Sequence, residues 1–170
     1  MNAAMTIKAL NNADCPFIVD LILPIQQVEF NVPVTLEGQP DLLDLDTYYY
    51  ATGGCFWGAF IEGELIGTIA LISTGHQAGA LRKMFVKKEF RGKEHGIARQ
   101  LLQVLLAFCK AHGINELYLG TVDMLKAAHR FYERNGFQRI EAAALPPYFP
   151  RMAADNRYYH LSLKEPDECN

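Results

Sequence analysis

The chain has 170 residues, 50% hydrophobic and 21% charged, which excludes a disordered chain and reads as one globular domain over residues 1–170. Its net charge of −3 is uneven, with residues 1–81 at −8, residues 82–99 at +5 and the rest neutral; a nucleic-acid partner is not expected, because a polymer normally needs a broader basic face, while one anionic ligand or a solvated basic loop both fit. No apolar run reaches the ~18 residues of a membrane span, Met1–Met5 has no leader pattern, and Cys15, Cys55, Cys109 and Cys169 lie far apart without a CxxC pair, so a cytoplasmic protein with reduced thiols and no metal is expected.

In chain order, residues 15–30 carry apolar positions at mixed helical spacing around Pro24, which predicts a broken or kinked helix. Residues 31–40 hold two prolines and a glycine, a loop, and Asp41 to Tyr50 suits a short helix. Residues 55–61 and 65–72 predict two strands, and the turn Glu62-Gly63-Glu64 makes them a hairpin. Their apolar residues fall on both faces, so helices are expected to cover the sheet. Leu81 to Val86 is a third strand. The clearest helix is 97–111, with Ala98, Leu101, Leu102, Leu105, Phe108 and Cys109 on one stripe and Gly113 ending it. Glu116 to Leu119 is a strand. Asp123 is a candidate cap for a helix to Asn135, with Gly136 and Phe137 set for a Schellman ending. A proline-rich loop over 145–150 and a last strand, Tyr158 to Leu163, complete an α+β sandwich with a mixed sheet.

Chemistry concentrates in Val86-Lys87-Lys88-Glu89-Phe90-Arg91-Gly92-Lys93-Glu94-His95-Gly96-Ile97-Ala98. A strand ends, a basic loop with two glycines follows, and a long helix begins. Free N–H groups and a partial positive charge at that helix start would meet an anion, and glycines let the backbone approach it. The loop is neither GxxxxGK[ST] nor GxGxxG.

This segment resembles the acetyl-CoA loop of the GNAT family of N-acetyltransferases, [RQ]xxGx[GA]. Phe90-Arg91-Gly92 stands where Tyr-Arg-Gly is common, and Gly96-Ile97-Ala98 matches the end of the motif. The spacing is two residues longer than usual: either two residues are inserted near Glu94-His95, or Lys93 takes the first motif position. Ala127 to Phe137, containing Phe131-Tyr132-Glu133-Arg134-Asn135-Gly136-Phe137, resembles the helix and turn that follow in that family, and Phe56-Trp57 with Gly67-Thr68 resembles its central hairpin.

The resemblance implies a twisted, mostly antiparallel mixed sheet flanked by helices. It also implies a splay between the acetyl-CoA-binding strand and the next. It implies direct transfer of acetyl from acetyl-CoA to a primary amine of a small molecule or peptide. Tyr132 then serves as general acid to the CoA thiolate. Backbone N–H groups around Met84, Phe85 and Val86 face the thioester oxygen and pantetheine. Arg91, Gly92, Lys93, His95, Gly96, Ile97 and Ala98 cradle the pyrophosphate, and His129, one turn before Tyr132, either touches the cofactor or packs. Glu29, in the N-terminal helical region, is the candidate base. The acidic N-terminal half would favour a cationic acceptor, with Tyr48, Tyr49, Tyr50, Trp57 and the 146–150 loop as candidate walls. Homodimerisation is left open. An acyl-CoA sensor without turnover is the alternative from another class, and a phosphate- or nucleotide-binding protein is a third reading.

Overall fold

The computed structural model describes residues 4–92 and 95–164; Lys93 lies outside them. Strands β1 (Met5–Ala9), β2 (Cys55–Ile61), β3 (Glu64–Gly75), β4 (Ala78–Val86), β5 (Glu116–Thr121), β6 (Gln138–Ile140) and β7 (Arg157–Ser162) form one sheet in the order β1-β2-β3-β4-β5-β7-β6. Helices are α1 (Cys15–Pro24), α2 (Ile97–Ala111) and α3 (Lys126–Arg134). The expected fold is present, with β1 and β6 added at the two edges.

Two tight turns build the central meander. Glu62 and Gly63 take φ of 53° and 79°, and His76 and Gln77 take 61° and 57°. Paired positive φ values match the twist of the strands they join. β2 shows why the sheet needs cover on both sides. Cys55, Trp57 and Ala59 join the core under α2, whereas Phe56 joins the core under α1. Trp57 packs edge-on against Phe108, with ring centres 5.3 Å apart, and Tyr49 edge-on against Phe56 at 5.0 Å. The aromatics Tyr49 and Trp57 are therefore core residues rather than walls of a binding site, and Tyr48 is exposed.

α1 ends at Pro24, but the chain does not break. It continues as one wider turn over Ile25–Glu29, closed by Phe30 N–H on the Ile25 carbonyl at 3.1 Å. Residues 46–50 form a similar wide turn rather than a regular helix. Asp123 does not cap α3: Leu125 holds that position, and Asp123 N–H bonds Asn156 Oδ1 at 3.0 Å. The far end of α3 is a full Schellman motif. Phe137 N–H reaches the Tyr132 carbonyl at 3.0 Å, Gly136 N–H reaches Glu133 at 3.2 Å, and Gly136 has φ of 92°. That ending fixes the angle at which Tyr132 leaves the helix.

β4 and β5 run parallel and pair only at Ala78–Glu116, Gly79–Leu117 and Ala80–Tyr118. Beyond Ala80 the two strands diverge, so β4 loses its strand partner on that side. The expected splay is there.

Candidate active site

The site begins with an irregularity in β4. Ala70 pairs with Arg82 and Thr68 with Phe85, so Lys83 and Met84 together oppose one residue of β3. Lys83 has φ of 55°, and Thr68 Oγ1 donates to its carbonyl at 2.7 Å. A bulge of this kind breaks the up-down alternation of a strand. Here it puts consecutive cations on one side. Arg82 and Lys83 both approach Asp41 Oδ2, at 3.9 and 3.6 Å, and Tyr49 Oη donates to the same oxygen at 2.6 Å. Lys83 Nζ also donates to Gln39 Oε1 at 2.6 Å. Burial pulls the Lys83 ammonium down to about 8, against the pull of Asp41.

A cavity of about 290 Å³ opens at the splay. Leu81 to Phe85 form one wall, Gly120 to Val122 of β5 another, and Tyr132 of α3 a third. Asp155, in the turn before β7, completes it. A Cβ on Gly120 would lie 2.5 Å from Asp155 Oδ2, so only glycine lets that carboxylate lie against β5. The Asp155 backbone is held at both ends, its N–H on the Met152 carbonyl at 3.1 Å and its carbonyl accepting from Tyr158 Oη at 3.1 Å. Burial pushes its carboxyl up to about 6, although Arg82 and Lys83 oppose the shift.

Tyr132 is buried, and its ring is clamped by Phe131, Phe137 and Tyr159. Its hydroxyl bonds to no described residue. Burial first, then the Asp155 charge, raise its pKa, so the phenol keeps its proton through the ordinary pH range.

The glycine loop lies past the end of β4. Gly92 and Gly96 take φ of 116° and 65°, conformations that glycine adopts freely. His95 and Gly96 N–H groups turn back onto the Gly92 carbonyl, and Ile97 opens α2. The Ile97 side chain is buried in the core, which leaves its backbone as the part turned to the loop. Arg91 does not reach into this cradle. Its Nε donates to the Val86 carbonyl at 2.7 Å, and its guanidinium pairs with Glu29, Nη2 to Oε1 at 2.8 Å. That pair also decides the state of Glu29, whose carboxyl is held below its usual range mainly by the Arg91 hydrogen bonds. Glu29 lines a separate groove between α1 and the β2–β3 turn, away from Tyr132. His129 is buried with both ring nitrogens engaged: Nε2 lies 2.8 Å from the Val122 carbonyl, and Nδ1 faces Arg157. Burial lowers its pKa, which favours the neutral ring. His95 sits edge-on to Phe90. The structure thus gathers Met84, Phe85 and Tyr132 at one cavity and places Arg91, Glu29 and His129 in supporting contacts. Among the described residues no three His, Cys, Asp or Glu side chains could hold a metal, and no helix is long and apolar enough to cross a membrane.

The Acetyltransferase (GNAT) family is matched over residues 19–137. The chain belongs to the GNAT acetyltransferase family. A GNAT-family acetyltransferase of Staphylococcus aureus Mu50 superposes with a TM-score of 0.91 at 37% identity, covering 95% of this chain and 100% of that one. The PaiA N-acetyltransferase of Thermoplasma acidophilum, in complex with coenzyme A, shares the fold at TM-score 0.73, 19% identity and 94% and 99% coverage. Among curated proteins, the N-acetylaspartate synthetase of Danio rerio is 34% identical over 137 residues, 75% of this chain and 48% of that protein. The human protein of that name is 36% identical over 107 residues, 61% and 34%. The chain thus spans less than half the length of these relatives.

Sequence reasoning missed Arg82, Lys83 and Asp155. The one signal for the first two was an Arg-Lys pair inside an otherwise apolar strand; the strand was expected, but the pair was counted with the basic segment after it rather than as part of a site. The basic segment is in fact divided: Arg82 and Lys83 serve the cavity, Lys87 pairs with Glu64, and Arg91 pairs with Glu29.

Proposed function

We propose that the protein transfers acetyl from acetyl-CoA to the primary amine of a small molecule by direct attack, with Tyr132 as general acid to the leaving CoA thiolate. One observation carries this reading: Tyr132, whose hydroxyl bonds to no described residue, lines the cavity at the splay, where β4 has lost its strand partner. An extended pantetheine arm fits that edge as an added strand. The N–H groups opening α2, freed by Gly92 and Gly96, suit the pyrophosphate. Those backbone donors, rather than Arg91, would do the holding.

The acceptor we favour is an amino acid. The charge tally of the N-terminal half pointed to a cationic acceptor, but the cavity wall carries Arg82 and Lys83 beside Asp155. Among the described residues Arg82 has only Asp41 at 3.9 Å and the Met152 sulfur at 3.1 Å as side-chain partners, so its guanidinium has donors to spare for a carboxylate. Asp155 suits the ammonium end. The name borne by the curated relatives, N-acetylaspartate synthetase, agrees with an amino acid that carries a second carboxylate.

The test is thiol release from acetyl-CoA with a panel of L-aspartate, L-glutamate, neutral amino acids, polyamines and a free N-terminal peptide. Acetyl-CoA binding is measured in parallel by calorimetry. Release with amino acids supports the reading. Release with polyamines alone removes the amino-acid assignment, and binding without release from any amine favours an acyl-CoA sensor.

A further inference from the structure

We infer that Asp155 is the base that takes the proton shed by the acceptor nitrogen as that nitrogen bonds the acetyl carbon. The inference rests on the acetyl transfer proposed above. Direct attack needs a group to receive that proton, and few candidates border the cavity. Glu29 lies in another groove and is clamped by Arg91. Lys83 donates to Gln39 and faces Asp41, so its nitrogen is occupied as a donor. His129 has both nitrogens engaged. Asp155 differs from all three. Its carboxylate lines the same cavity as Tyr132, lies against Gly120 of β5, and accepts no hydrogen bond from a described residue.

Its surroundings suit the task. Arg82 and Lys83 face it from β4, with Asp41 behind them. Tyr132 faces it from α3, and the ring of Tyr158 in β7 flanks it at Gly120. Desolvation makes the group more basic than a surface carboxylate, and the two cations keep it ionised near neutral pH. A base poised just below the working pH combines the right protonation state with proton affinity.

The accounting of atoms is simple. The ammonium loses its first proton to solvent. The nitrogen lone pair forms the C–N bond, the C–S bond breaks, and its electron pair leaves on sulfur. The sulfur takes the proton of Tyr132, and the nitrogen's second proton goes to Asp155. Solvent then returns both residues to their starting states.

The test is steady-state thiol release by Asp155→Asn and Asp155→Ala, with L-aspartate first and then whichever panel amine supports release. We expect kcat to fall about 100-fold or more, with the affinity for acetyl-CoA within about twofold of the parent. The parent's kcat/KM should fall more steeply below pH 6 than the acceptor ammonium alone dictates, and that steeper limb should be lost in Asp155→Asn. Formate added to Asp155→Ala should restore a measurable part of kcat, which a purely structural role would not allow. Overturning results are a kcat within threefold of the parent with the acid limb intact, or a rise in acceptor KM alone, which would make Asp155 a binding group. Parent protein that releases no thiol with any panel amine overturns the transferase reading itself, and this one with it.

Discussion

Replacing Tyr132 by phenylalanine removes one oxygen and leaves the packing alone. The ring's neighbours Phe131, Phe137 and Tyr159, at 5.9, 5.5 and 5.8 Å between centres, keep their contacts. Because the hydroxyl bonds to no described residue, no partner is stranded, and stability should change by less than about 0.5 kcal/mol. During turnover the missing O–H is a hydrogen bond to a charged sulfur, worth about 1.5–3 kcal/mol. At ~1.4 kcal/mol per decade, that predicts a roughly 10- to 150-fold fall in kcat. The assay is thiol release under saturating acetyl-CoA, with calorimetry to show that cofactor affinity is unchanged and a thermal melt to show an intact fold. A kcat within threefold of the parent would refute the acid role. So would a loss carried wholly by weaker acetyl-CoA binding.

Three further outcomes follow from the geometry. Glu29→Gln should leave kcat within about threefold, since a carboxylate clamped by Arg91 is a feeble base; a loss of about 100-fold or more with a flattened pH profile would restore it as the base. Asp155→Asn should stabilise the fold at pH 7.5. The native state raises this carboxyl from 3.8 to about 6 and so holds the proton more tightly than the unfolded chain, and ionising it as pH rises through that window costs up to about 3 kcal/mol. The gain should be absent below pH 4, and equal melting temperatures for the two proteins at pH 7.5 would contradict the burial argument. Gly136→Ala has room for its methyl, the nearest atom being Leu161 Cδ1 at 3.5 Å. With φ of 92° it should still cost about 1–2 kcal/mol, seen as a melting temperature lower by roughly 2–8 °C.

Much of the fold was legible because its signals are local. The α2 stripe from Leu101 to Cys109 and the glycine after it set both the helix and its end, and the observed bounds agree with the reading. The Gly136-Phe137 ending was equally plain, since a glycine at positive φ followed by an aromatic closes a Schellman turn. β1 and β6 were not legible. They have five and three residues, too few for a period of two to stand out, and the pairing that holds β1 comes from β2, some fifty positions away. The cavity was legible only in part. Tyr132 is carried by a motif with fixed spacing, whereas Arg82 and Lys83 face one side only because of a bulge whose register is set by β3. Asp155 reaches the site because Gly120, on another strand, lacks a side chain. Glu29 and Arg91 were each read alone, and neither reading could foresee that they would bind one another across 62 positions.

The seven strands are two antiparallel half-sheets, β1 to β4 and β5 with β7 and β6, stitched by three residue pairs. Backbone pairing along that seam is short, far shorter than between β2 and β3 or β3 and β4. Side chains under α2, among them Leu105 and Leu117, carry the core across it. The molecule therefore has a mechanical hinge line that runs through its own reaction chamber. A substrate laid along the free edge of β4 would act as a clasp between the halves. The halves should open together more slowly when it is bound, with amide protons near the seam gaining the most protection. Chemistry and rigidity are thereby tied to the same few ångströms of chain, and the enzyme should be most pliant when it has nothing to react with.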